Sequence, residues 1–308
     1  MKEKQIKVKY SEEQKKHERQ CYALIMLQII GFFVITIYPI IWAIRISFFS
    51  YNGIPSETVF VGLENFKEII VNDSQYWNTW LTTLKFTVMK LVVEIPLALI
   101  IAIMLSSKIK GKGLYRAIYF MPNLVGVVVV GVIFSNMFSY QGLLNAWISK
   151  IGVEAVDWFG QSQFSALTVL ALGSVWCSFG VNVLYFIAAL SNVPEDVYEA
   201  AELDGAGKIK QFFKITIPMI SPIFATVLLL SINGTLHTSE YIIAVTNGAP
   251  RGTTYTVMSY ITSKFVPGFA ETGADIGYGC AMSFITSVMM CIFAAVYLKI
   301  KKKLTDIY

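Results

Sequence analysis

Ser231, Thr235 and Thr238 fall at i, i+4 and i+7, on one face of a helix. The same apolar run holds Asn233, His237 and Glu240, and an earlier one holds Trp176, Ser178 and Asn182. Polar side chains are costly inside apolar runs of spanning length, so they mark candidate sites. Hydroxyl and amide groups both donate and accept hydrogen bonds, which suits a ligand rich in hydroxyls. For any one Ser or Thr, a bond to its own helix backbone is an equal alternative. His237 has no partner at metal-ligand spacing and reads as a hydrogen-bonded packing residue. Cys21, Cys177, Cys280 and Cys291 show no paired spacing and read as packing residues. No metal or cofactor is expected.

A second group lies in a polar connection between two apolar runs: Glu199-Ala-Ala-Glu-Leu-Asp204-Gly205-Ala-Gly207. Pro194 suits a first helical position, where its missing N–H costs nothing. Glu195 and Asp196 complement the positive end of the helix dipole. Gly205 offers a left-handed stop after Asp204. The pattern predicts a helix over 194–203 with a small apolar side made by Val193, Val197, Ala200, Ala201 and Leu203. Lys208 to Thr216 predicts a second short helix, and Pro218 and Pro222 restrict the start of the next run. The first of these helices is acidic and carries no base, so anionic lipid repels it. Docking into a groove on a partner is the favoured reading.

The elements that position both groups are membrane spans. The chain has 308 residues, of which 55% are hydrophobic and 15% charged, with a mean hydropathy of +0.59. A soluble domain is nearer a quarter charged. Apolar runs long enough to cross a ~30 Å core fall at about 21–44, 80–105, 116–138, 164–190, 217–243 and 274–298. The second is interrupted by Lys85, Lys90 and Glu94; Lys90 and Glu94, at i and i+4, predict an intrahelical pair with no assigned transport role. The expected fold is all-α and polytopic. It comprises a basic arm at 1–20, a transmembrane domain at 21–300 and a tail at 301–308. The 21–44 run is longer than a signal peptide's and no cleavage site follows it, so it reads as a retained span.

Basic residues set the orientation. They concentrate in the arm (Lys2, Lys4, Lys7, Lys9, Lys15, Lys16, Arg19), the 106–116 turn, the 191–216 loop and the tail, whereas the opposite segments hold only Arg45, Lys67, Lys150, Arg251 and Lys264. Both termini and the 191–216 loop are therefore expected in the cytoplasm. On the other side, Gly142 opens a short interfacial helix with Trp147 and Trp158 at the membrane surface. A helix is also expected over 254–265.

Glu199-Ala-Ala-x-x-Asp204-Gly205-Ala206, followed by Phe213-x-Ile215-Thr216-Ile217-Pro218 and Pro222, resembles the EAA loop of ATP-binding-cassette importer permeases of the carbohydrate group, the permeases similar to those for maltose, glycerol phosphate and multiple sugars. Tyr38-Pro39 with Ser47-Phe48, Val61-Gly-Leu-Glu-Asn-Phe66 and Thr246-Asn-Gly-Ala-Pro250 also look like that group, so the resemblance covers residues 22–300. It implies that Glu199, Ala200, Ala201, Asp204 and Gly205 form the coupling helix and turn seated in a cytoplasmic ATPase dimer. It implies a sugar cavity near the bilayer midplane, with Trp176, Ser178, Asn182, Ser231, Thr235 and Thr238 as pathway candidates. Trp176 or Tyr185 could cover a sugar ring. Val181 and Gly234 depart from the maltose pattern, which puts maltose itself in doubt. The implied partners are a second, related permease, the ATPase, an extracytoplasmic sugar-binding protein and membrane lipid, with no nucleic acid. The chain has no GxxxxGK[ST] loop, so it is expected to be a translocation subunit and not an enzyme. An ion-gradient-driven secondary transporter is the alternative; the inverted repeats and intramembrane acid pairs of that class are not evident.

Overall fold

A computed structural model describes residues 12–106, 111–270 and 273–305. Lys2, Lys4, Lys7 and Lys9 of the arm, Lys108 and Lys110 of the basic turn, and the tail beyond Thr305 lie outside the described residues. The chain folds as α1 (Glu12–Phe32), α2 (Tyr38–Ile46), a two-stranded antiparallel hairpin β1 (Phe49–Ser50) and β2 (Val59–Phe60), α3 (Glu64–Val71), α4 (Ser74–Ser106), α5 (Lys112–Leu124), α6 (Val127–Met137) and α7 (Leu143–Lys150). It continues as α8 (Gln163–Ser191), α9 (Glu195–Leu203), α10 (Lys208–Gln211), α11 (Ile217–Leu236), α12 (Glu240–Val245), α13 (Val257–Phe265) and α14 (Ile276–Thr305). The architecture is that of an all-α polytopic membrane protein.

Among the described residues, five continuous helices are long and apolar enough to cross a membrane: Arg19–Ile46, Ser74–Ser106, Gln163–Ser191, Lys208–Leu236 and Ile276–Lys301. The expected third span differs. Its run divides into α5 and α6, whose axes lie 90° apart. Val125 and Gly126 between them are extended, at φ −79°, ψ 132° and φ −56°, ψ 135°. Pro122 just before them removes a backbone donor from the last turn, where a helix is easiest to stop.

The fifth run also differs. It begins earlier, at Lys208, and ends at Leu236 instead of 243; Glu240 then opens α12. Two π turns, Phe33–Ile37 and Phe212–Thr216, each end one residue before a Tyr-Pro or Ile-Pro pair. A proline ring clashes with the carbonyl four residues back, and a widened turn relieves that clash.

Among the described residues, three apolar clusters hold the bundle. One joins α4, α5, α8 and α11 through Ala98, Ala102, Val183, Phe186, Ile220 and Val227. A second joins α4, α6, α8 and α12 around Phe86, Val130, Leu167 and Tyr241. The third packs α3, α4, α13 and α14 around Ile69, Tyr76, Val257 and Met282. Small residues permit the closest approaches. At Gly180 of α8, any Cβ would overlap the Tyr119 carbonyl oxygen of α5. The first span is different: residues 21–45 are almost all exposed, and the span meets the bundle at its far end, where Ile46 and Ser47 are buried and α2 packs against α14.

At the end of the bundle that holds Ser74, buried and half-buried polar side chains pin the connections. Asn145 of α7 donates to the Ser139, Tyr140 and Val156 carbonyls and accepts from Val156 N–H and Trp158 Nε1. Asp275 accepts from Ser50 Oγ, Tyr51 N–H and Tyr278 N–H, tying the hairpin to α14.

Candidate functional site: the α9 connection and a polar seam between spans

The α9 connection forms a helix one residue shorter than expected, with Pro194 capping it from outside instead of occupying its first helical position. Pro194 is extended at φ −62°, ψ 137°, and α9 begins at Glu195. At the other end Gly205 N–H donates to Glu202 O at 3.0 Å and Ala206 N–H to Ala201 O at 2.9 Å. This pair of bonds is the Schellman closure, which needs a left-handed residue at its centre. Gly205 provides it at φ 74°. Gln211 Nε2 then donates to Ala206 O, holding α10 against the turn.

One side of α9 is committed to the bundle. Val193 is buried, Val197, Tyr198 and Ala201 are half-buried, and Tyr198 packs on the α4–α8–α11 cluster. Tyr198 Oη and Thr216 Oγ1 lie 2.9 Å apart, linking α9 to the π turn that leads into α11. The other side is open: Glu195, Asp196, Glu199, Ala200, Glu202, Asp204 and Gly205 are exposed. Leu203 is 90% exposed, and Ile209 and Phe213 stand out nearby. The small apolar side expected for the helix is therefore divided, with Val193, Val197 and Ala201 turned inward and Ala200 and Leu203 outward. The open surface combines carboxylates with unpartnered apolar side chains, a composition fit for a protein groove.

The second site lies where α4, α8 and α11 meet. Lys90 and Glu94 form the intrahelical pair, Nζ to Oε2 at 3.4 Å, with both side chains buried. The pair also reaches across the seam. Glu94 Oε1 accepts from Ser178 Oγ at 2.6 Å and Asn182 Nδ2 at 2.9 Å. Asn182 Nδ2 also donates to Ser231 Oγ at 2.9 Å, and Lys90 Nζ donates to Thr235 Oγ1 at 3.2 Å. Thr235 Oγ1 in turn donates to Ser231 O. Glu94 Oε2 is buried and, among the described residues, makes no hydrogen bond beyond its ion pair with Lys90.

Four of the six pathway candidates thus come together, and they satisfy one another. Ser178, Asn182, Ser231 and Thr235 complete the coordination of a buried ion pair, the condition under which such a pair is tolerated in an apolar interior. Trp176 and Thr238 stand apart. Trp176 is 41% exposed, with its ring centroid 6.0 Å from that of Phe134. Thr238 is half-buried and bonds back to Gly234 O. Asn233, Gly234 and His237 form an exposed polar strip on α11, and His237 Nδ1 is 2.8 Å from Asn233 O. The sequence reading missed that Glu94 is the hub. The signal was a carboxylate inside an apolar helix, which needs more than one partner.

The sequence pattern of the family described as binding-protein-dependent transport system inner membrane component matches residues 94–304. The arabinooligosaccharides transport system permease protein AraP of Bacillus subtilis is 32% identical over 276 residues, covering 88% of this chain and 85% of that protein. The trehalose/maltose transport system permease protein MalF of Thermococcus litoralis is 30% identical over 280 residues, covering 91% and 92%. A solved bacterial importer of the acidic polysaccharide alginate shares the fold. Its TM-score is 0.76 at 20% identity, with 94% of this chain and 96% of that one covered.

Proposed function

Because the chain belongs to the family of binding-protein-dependent transport system inner membrane components, we propose that it is the permease subunit of an ATP-binding-cassette importer that moves a sugar or oligosaccharide into the cell. The observation that carries this reading is α9. It is a short helix with a fixed azimuth, closed by Gly205, presenting Glu199, Ala200 and Leu203 to a partner at one end of the bundle. In this reading a cytoplasmic ATPase dimer receives that surface, and both termini lie on the same side. A second, related permease covers part of the exposed surface of the spans. A binding protein delivers ligand at the opposite end. The sugar class rests on the permeases named above, whose cargoes are arabinooligosaccharides and trehalose or maltose.

The α4–α8–α11 network serves as the rigid wall of the pathway in this proposal. The exposed α11 strip and Trp176 then face the cargo, with Thr238 at its edge. Ser178, Asn182, Ser231 and Thr235 act by fixing that wall.

Replacing Gly205 with Pro, or Glu199 with Lys, tests the coupling role. Each variant is expected to reach the membrane at normal abundance and to lose sugar uptake when it is the only copy. Full uptake by either would sink the reading. Kinetics separate the wall from the cargo surface: Trp176→Ala should raise the KM for uptake, an effect the wall variants should not share.

A further inference from the structure

Lys85 interrupts an apolar span, and no transport role absorbs it. It lies on the outer face of α4 in line with Leu81, Val88 and Val92, the i, i+4, i+7 and i+11 positions of one helix face. Among the described residues its only hydrogen-bond partner is Gln163 Oε1, at 3.2 Å, and no carboxylate lies within ion-pair distance. Lys85 borders a hollow of about 480 Å³ at the Ser74 end of the bundle, which also takes in Gln75, Asn78, Gln163 and Arg251 and has no acidic residue in its lining. Arg251 sits in the left-handed region at φ 52°, a costly conformation for a residue with a side chain. It makes no hydrogen bond among the described residues, and neither cation of the hollow is paired with a carboxylate there.

Directly below, the α4–α8 seam opens into a second hollow of about 360 Å³, lined by Val88, Val92, Phe164, Leu172 and neighbouring apolar residues. The two share no lining residue but lie along the same two helices: on α8 Gln163 lines the first and the next residue, Phe164, the second, and on α4 Lys85 lines the first and Val88, three residues on and on the same face, the second. A cationic, hydrogen-bonding pocket above an apolar groove on one span face matches the two ends of a single amphiphile. A sugar acid would fill the upper pocket and leave the groove uncovered.

We propose that this face is a binding site for one anionic phospholipid. The phosphate headgroup lies between Lys85 and Arg251, and an acyl chain lies along the α4–α8 groove. A juxtamembrane cation contributes enough that losing two weakens binding about thirty-fold.

The test uses the full chain, purified and delipidated, then titrated with vesicles of phosphatidylcholine alone or mixed with phosphatidylglycerol. Native mass spectrometry reads the phospholipid retained. The wild type should retain phosphatidylglycerol in preference to phosphatidylcholine. The double variant Lys85→Gln/Arg251→Gln should lose that preference by the factor above. Val92→Trp, or Leu172→Trp should the first not fold, should expel the lipid by filling the groove at an exposed position. Equal retention of both lipids by the wild type, or unchanged retention in the charge variant, would overturn the proposal. So would phosphatidylglycerol retained by the groove variant as well as by the wild type, or efficient cross-linking of Val92→Cys to a second permease.

Discussion

Ser178 Oγ donates to Glu94 Oε1 at 2.6 Å across the seam between α4 and α8. The bond joins residues 84 positions apart and sets α8 against a helix that carries its own buried cation. Removing one member of a buried pair strands the other charge, at a cost of about 3–5 kcal/mol, whereas replacing both by apolar groups can be neutral. Glu94→Met and Lys90→Met should each lower the thermal unfolding midpoint in detergent, and the double variant should recover much of the loss. A double variant no more stable than the worse single one would show that the pair is not the stabilising unit.

Tyr198 and Thr216 make a smaller contact with a larger reach. Tyr198→Phe removes one hydrogen bond, about 1 kcal/mol, and leaves the ring packed on the cluster. Stability should change little. Uptake should fall, because α9 loses its polar link to the turn entering α11. Unaltered uptake, with the folding midpoint also unaltered, would show that the link carries nothing.

Gly180 sets how closely α5 can lie against α8. Even Gly180→Ala forces the Tyr119 backbone away, and Gly180→Leu should cost about 1–3 kcal/mol by overpacking. Thermal unfolding of the two variants should rank glycine above alanine above leucine; an alanine variant as stable as the parent would contradict the contact.

Asn145 is buried and serves three carbonyls and two donors. Asn145→Ala leaves those groups to be rehydrated, a cost of about 1–3 kcal/mol for each that stays buried and unpaired. Limited proteolysis should cut residues 139–158 faster in the variant while the spans stay protected. An unchanged cleavage rate would mean that the connection is held by other contacts.

The spans were legible because hydropathy reports the environment of a run directly. The α9 helix was legible because Pro194 and Gly205 bracket it with specific backbone requirements. The bend at Val125–Gly126 was not, since the apolar run continues across it and hydropathy carries no direction. The end of α11 at Leu236 falls in the polar stretch Asn233 to Glu240, which the apolar residues on either side led the run to bridge. Lys90 and Glu94 were readable as a pair because their spacing is local. Their links to Ser178, Asn182 and Thr235 depend on how three distant segments pack, which no single stretch encodes.

The exposed first span carries a consequence for what its sequence must specify. Residues 21–45 touch the three clusters hardly at all, so little in the bundle dictates which apolar residue stands at each of these positions. Leu24, Ile25, Ile35 and Ile41 could be exchanged among themselves with small effect on the folding of the rest. Inside the bundle, positions such as Ala98 and Val183 have no such latitude. The chain therefore divides into a stretch that tolerates drift so long as it stays helical and greasy, and a remainder in which volume and shape are fixed site by site.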